Sequence, residues 1–416
     1  MIKCIYSFLI LVLLTNFSIA QNLLIKNANI HPGNGQPAFK SDLLIINGRI
    51  SQISPNIILD TIPNFDAKGK NLFPALIATN TIVGLSEIES VRATRDFYEV
   101  GYFNSFIRSA SAFNTDSKVI PTLAWNGVMF AQITPKGGRI SGQSSMVNMF
   151  GVNTNEAIEV ADIGMHIQWP MNYLPAGKES QKAKDYFINE MQKLTEFLNN
   201  SLSYCNSLAG NEKPLDINYE PMCQVFTGKR KLFVHAESAE AMISAINFFE
   251  KYSIKPVIVG AYDAQKILAI LKEKNIQLII PRTHRLPENY DDQVYEPYTL
   301  PYLLTQNNID FALTDISFWE QRNLPFQAGQ TLAFGLKHEE ALKTICLNPA
   351  KILGIDSLYG SIEVGKSASF FLCEGNALDM SGNIISNWWL NGHEVFINNL
   401  QYDLYEKFIK RYGIKE

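Results

Sequence analysis

The sequence is short of several things that would mark common function classes. Lysine and arginine total 36 against 40 acidic residues, a net charge of −4. The basic residues form no stripe, so no nucleic-acid partner is expected. Beyond the first twenty residues there is no apolar run near the ~20 residues of a bilayer span, so no membrane span is expected once a leader is removed. Cysteines number five in 416 residues, and none has zinc-cluster spacing. The glycines at Gly137-Gly138 and Gly142, after Ile133-Thr134-Pro135, lack the Lys and Ser/Thr of a phosphate-cradling loop.

What is present begins with an export signal. Lys3 precedes an apolar core at 8–14 and small residues at Ser18 and Ala20, the layout of a secretory signal peptide over 1–20, cut after Ala20. The expected location is periplasmic or extracellular. Oxidising surroundings make a bridge between Cys205 and Cys223 available, while Cys346 and Cys373 lie in apolar runs and read as core residues.

The remaining chain is long enough for one large domain and a small one. From 21 to 70, short strands alternate with turns, including an Asn-Gly at 47–48; β-rich text returns in 353–416, with another Asn-Gly at 391–392. This pairing predicts one composite β-sandwich built from both chain ends. Between them, over 71–352, apolar strands alternate with helical patterns: LFVHA before 239–252, PVIVG before 264–274, IQLII before 298–307, and DFALT before 329–336. That order predicts an α/β domain with a parallel sheet. Nearer the N-terminus the strands are expected at 123–134, 146–152 and 163–169, and 178–207 is an amphipathic helical excursion over the sheet.

The stretch at 71–85, NLFPALIATNTIVGL, reads as a buried parallel strand ending in the polar Thr79, Asn80 and Thr81. Its Pro74, Leu76 and Ile77 match the first strand of the amidohydrolase superfamily, in the imidazolonepropionase-like secreted branch; Ala75 and Ala78 depart from it. A second resemblance is the run LNPAKILG at 347–354 with the 360–366 segment, although Ser369 stands where relatives carry Asp. The resemblance implies a (β/α)8 TIM-like barrel framed by the composite sandwich.

The resemblance also implies a divalent metal, zinc above others, held at the C-terminal ends of strands one, five, six and eight. His235, ending LFVHA, stands at the strand-five ligand position, although a histidine there could equally be a satisfied core group. Asp315, after Leu313-Thr314, stands at the general base and metal ligand of strand eight. Asn80 and Ile82 fall where the two strand-one histidines belong, Val259-Gly260-Ala261-Tyr262 offers no strand-six histidine, and strand four carries His166 and Gln168 but no lysine. The expected ligand set is thus His235, Asp315 and Asn80, which holds metal weakly or not at all. His166, Arg282 and His284 are the candidate substrate-binding residues, the latter two in a loop suited to an anionic group or simply solvated.

Two functions follow as expectations. One is a hydrolase acting on the C–N bond of a cyclic, non-peptide or peptide-like amide, with an eroded metal site. The other is a catalytically silent protein that binds a small molecule or partners an active relative, using the surface near Trp388 and Trp389, which could instead pack the sandwich core. Either function is compatible with a homo- or hetero-oligomer.

Overall fold

A computed structural model describes residues 22–170, 180–207, 214–287, 292–315 and 317–414. The expected signal peptide lies outside the described residues. Two eight-stranded sheets account for the strands. The first joins β1 (Leu23–Ile30), β2 (Phe39–Ile46), β3 (Arg49–Ser54), β4 (Asn64–Asp66) and β5 (Asn71–Pro74) to β14 (Phe370–Cys373), β15 (Ile385–Leu390) and β16 (His393–Val395). Its order is β16-β15-β14-β5-β1-β2-β3, with β4 on β1. The chain ends therefore do meet, but in one continuous sheet. The sheet curls on itself, with Arg49 bridging Ser367 and Ala368 N donating to Gly48 O at 2.9 Å. Ile25, Ile45, Leu72, Phe370 and Trp389 fill its interior.

Asn71–Pro74 belongs to this sheet, pairing with β14 and β1. The apolar run at 71–85 therefore serves two cores, and the chain crosses from one to the other at Ala75. Trp389 packs the curled sheet, whereas Trp388 donates from Nε1 to Ala124 O at 2.9 Å and packs into the core of the second sheet. Both tryptophans are buried.

The second sheet is the barrel. It runs β6 (Leu76–Thr81), β7 (Val128–Ile133), β8 (Ile140–Asn148), β9 (Ile158–Gln168), β10 (Lys231–Ala236), β11 (Val257–Gly260), β12 (Leu278–Ile280) and β13 (Phe311–Leu313), in sequence order. The Thr314 hydroxyl donates to Thr79 O and draws the last strand to the first. The C-terminal half follows the expected βα alternation, with helices Ala239–Glu250, Leu268–Glu273 and Glu296–Gln306.

The other half corrects the expectation of an all-parallel sheet: β8 is antiparallel to both β7 and β9. The link 134–139 is shorter than the dozen or so residues a parallel crossover needs, so the chain must turn straight back. The strand expected at 123–134 begins only at Val128, because Pro121 opens a short helix, Ile120–Ala124. The strand expected at 146–152 is the tail of β8. It stops at Asn148, whose Oδ1 accepts from Phe150 N and Gly151 N at 2.9 and 2.8 Å and turns the chain.

The excursion is a helix, Ser180–Ser207. Phe197 stacks on Phe103 with centroids 4.3 Å apart, and Glu190 is buried against Arg139 and accepts from Tyr102. A Cys205–Cys223 disulfide ties the helix to the next one, Glu220–Phe226. Cys346 and Cys373 are buried free thiols.

Candidate active site at the barrel mouth

The C-terminal ends of the barrel strands enclose a cavity of about 410 Å³, lined among others by Asn80, Lys136, His235, Glu237, Tyr262 and Asp315. A neighbouring cavity of about 290 Å³ shares His235, Gln168 and Glu237 and reaches Arg139 and Trp169. The first is the size of a small-molecule site. It brings together Asn80, His235 and Asp315, three residues expected from strands one, five and eight.

His235 ends β10 with its Nε2 turned to Nδ1 of His166 on β9, 3.0 Å away. The Nε2 of His166 meets the Ser144 hydroxyl at 2.8 Å. Gln132 on β7 donates from Nε2 to Ser144 Oγ at 3.0 Å and accepts at Oε1 from Asn80 N at 3.1 Å. A continuous polar chain therefore runs beneath the mouth from strand one to strand five. His166 is fully buried and stacks on Phe233, ring centroids 4.8 Å apart. Gly164 permits this: a Cβ there would fall 2.2 Å from the Phe233 ring and 3.0 Å from Ser144 Oγ. His166 thus lies behind His235 rather than on the cavity wall.

Burial holds both rings neutral. The pKa of His235 is pushed down to about 3, first by burial and then by the Lys136 ammonium. That of His166 falls well below the ordinary imidazole value, through burial and then through His235. Lys136 is itself pulled down by burial, with Glu89 opposing.

Asp315 is almost wholly buried. Its Oδ1 lies 3.8 Å from Arg282 Nη1, and Gln321 braces its backbone, donating from Nε2 to Asp315 O at 2.9 Å. Arg282 is therefore a partner of Asp315. His284 is exposed, accepting or donating at Nδ1 with Tyr298 Oη at 2.8 Å, and does not line the cavity. Asn80 has a left-handed backbone, φ 50°, and its buried Oδ1 has no hydrogen-bond partner. Ile82, at the second strand-one ligand position, is buried in the apolar core.

Among the described residues, two groups of His, Asp and Glu bring three ligand atoms within 4.8 Å of one another: His31, His338 and Glu339, and Asp263, Asp292 and Glu296. Neither is at the mouth. The second encloses a cation of its own, since Lys266 Nζ lies 2.8 Å from Asp263 and 3.4 Å from Asp292.

Residues 314–400 match the amidohydrolase family model, a segment that opens on Thr314-Asp315 and runs to the end of the curled sheet. Over that segment the chain is similar to the amidohydrolase family. An amidohydrolase from Thermotoga maritima MSB8 superposes with a TM-score of 0.79 at 24% identity, over 90% of this chain and 100% of that one. Molinate hydrolase follows at 0.58 and 15%, over 93% and 97%. A putative prolidase from Bifidobacterium longum gives 0.54 and 15%, over 94% and 99%. No curated protein matches by sequence. These superpositions show a shared overall fold.

Lys136, Gln132 and Ser144 were not singled out from sequence. Lys136 could have been: a lysine just beyond a barrel strand, on the face where loops carry function, deserves a place among candidates. Gln132 and Ser144 give no such signal, because they lie inside apolar strands whose register depends on the antiparallel turn at 134–139.

Proposed function

We propose that the protein is an exported small-molecule-binding member of the amidohydrolase superfamily whose barrel mouth works without the family's metal. The carrying observation is the His235 to His166 contact, which commits the imidazole nitrogen at strand five to a neutral pair anchored on the buried His166. Asp315 is balanced by Arg282, and a half-buried ammonium, Lys136, already supplies positive charge to the cavity. A divalent ion added beside that ammonium would be repelled, and among the described residues no three histidine, cysteine or acidic ligand atoms converge there. Asn80, His235 and Asp315 therefore do not fit a metal.

What these groups fit is an amide or peptide-like molecule with an anionic or strongly polar oxygen. The orphaned Asn80 Oδ1 accepts a ligand N–H, and Lys136 donates to the ligand's carboxylate or carbonyl. Asp315 and Tyr262 flank the same space. The test is calorimetric titration of the mature protein with N-acyl amino acids and dipeptides, with and without chelator. Binding that survives chelation and weakens in Lys136→Met supports the reading; binding or hydrolysis that requires added metal overturns it.

The second reading is C–N bond hydrolysis with Asp315 as base and His235, Asn80 and Asp315 holding zinc. Its support is the buried Asp315 at the end of strand eight, inside the family match. Metal-dependent release of amine from the same compounds, abolished in Asp315→Ala, would establish it.

A further inference from the structure

The seam between the curled sheet and the barrel carries a histidine pair quite unlike the one at the mouth. His31 follows β1, and His338 and Glu339 begin a short helix, His338–Lys343, that follows the last barrel strand. The two histidines are 307 positions apart in sequence, yet both Nδ1 atoms converge on one oxygen. His31 Nδ1 is 2.6 Å and His338 Nδ1 3.1 Å from Glu339 Oε1.

The opposite nitrogens settle what those Nδ1 atoms present. His338 Nε2 lies 2.8 Å from Asn376 Oδ1, and that atom is fixed as the oxygen because it accepts from Leu378 N at 3.0 Å. His31 Nε2 lies 3.3 Å from Asn71 Oδ1, fixed in turn because Asn71 Nδ2 donates to Gly375 O at 2.9 Å. Asn29 Nδ2 lies farther off, at 3.5 Å from His31 Nε2, and turns one of its two hydrogens to Asn71 Oδ1 at 2.7 Å, so the oxygen is the ring's nearer partner. Each ring therefore carries its hydrogen on Nε2, which leaves two Nδ1 lone pairs aimed at a carboxylate. Lone pairs on three electronegative atoms repel unless positive charge lies among them: a second proton on each ring, or one cation.

Glu339 favours the cation. Its side chain is buried, 9% exposed, and its Oε2 has no hydrogen-bond partner. Protons on the rings would serve Oε1 and leave Oε2 orphaned, whereas a metal ion bound by both carboxylate oxygens satisfies it. The amide oxygens behind the two rings are the outer partners that metal-bound imidazoles require. The three ligand atoms lie within 4.8 Å of one another. Tetrahedral zinc at ~2.0–2.2 Å from each separates its ligands by about 3.3–3.5 Å, so the rings need only move apart by a few tenths of an ångström to about 1 Å.

We propose that His31, His338 and Glu339 bind one divalent ion, zinc by the chemistry of two imidazoles and a carboxylate, and that the ion clamps the curled sheet to the barrel. The test uses the mature full chain, stripped with chelator and dialysed against zinc, with elemental analysis and the visible absorption of a cobalt-substituted sample. One zinc per chain is expected, with a rise in Tm on loading. Glu339→Gln and His338→Gln should abolish uptake, Asn376→Ala should weaken it about 10- to 100-fold, and Asp315→Ala should leave it intact. Circular dichroism checks that each variant folds, and the wild-type and Asn376→Ala titrations decide the matter if the others do not. No uptake by the wild type, or uptake unaffected by Glu339→Gln and Asn376→Ala, overturns the seam site alone. Uptake lost in Asp315→Ala and kept in Glu339→Gln puts the ion at the mouth, and overturns the metal-free reading of the cavity as well.

Discussion

Two histidine pairs sit at opposite structural positions in this molecule, and their neighbours give them opposite charge behaviour. At the mouth, His166 and His235 face each other, a serine hydroxyl and a half-buried ammonium, and burial holds the pKa of both rings down. At the seam, Glu339 and Asn376 raise the pKa of His338 although burial opposes it, and His31 and His338 lower that of Glu339 against the same opposition. Residue type alone therefore says little about a histidine's role. The carboxylate decides it, and a carboxylate three hundred residues away in sequence serves as well as an adjacent one.

The largest expected effect lies in acid. His235 binds its proton at about 3 when folded and near 6.5 when unfolded, so the unfolded chain holds the extra proton between those values. Stability should then fall as pH drops below about 6.5, by about 1.4 kcal/mol per pH unit for this group, levelling near pH 3. Urea unfolding from pH 7 to 4 measures it, and His235→Gln should flatten the slope. An unchanged slope would mean that the mouth pair is not held neutral.

In the metal-free protein the seam should show the reverse sign. A raised His338 pKa adds stability below about 6.5 that is lost as pH rises through the folded value. Glu339→Gln should remove this alkaline decline and cost about 1.5–3 kcal/mol near pH 6, the worth of hydrogen bonds to a charged group. Smaller again is Ser144→Ala. It strips the hydroxyl from His166 Nε2 and Gln132 Nε2, leaves buried polar atoms unpaired, and should cost about 1–3 kcal/mol by thermal unfolding. Smallest in stability is Lys136→Met. It should relieve the desolvation of the ammonium and raise the midpoint of the His235 ring in an NMR titration, so that the acid decline levels off at a higher pH.

The fold was legible because its signals are local and repeated. Apolar strands such as LFVHA and DFALT each announce a strand, the matching Asn-Gly turns tie the two chain ends to one unit, and Cys205 and Cys223 form the bridge their surroundings suggested. His235, Asp315 and Asn80 were found together because each ends a barrel strand. What escaped depends on register or distance. The antiparallel β8 hinges on the length of one link, and that link also carries Lys136 into the cavity. His166 read as a strand residue facing the site, but Gly164 and Phe233 set it one layer deeper. The seam cluster joins residues 31, 338 and 339, which no spacing rule connects.

The most direct measurement is the zinc anomalous difference map of a crystal of the mature protein soaked in zinc. The expected result is no peak between His235 and Asp315, with His235 Nε2 still against His166 Nδ1, and a single peak among His31, His338 and Glu339. A peak at the mouth, with the His235 ring swung away from His166 toward Asp315, would contradict the central claim and place a metal in the barrel cavity.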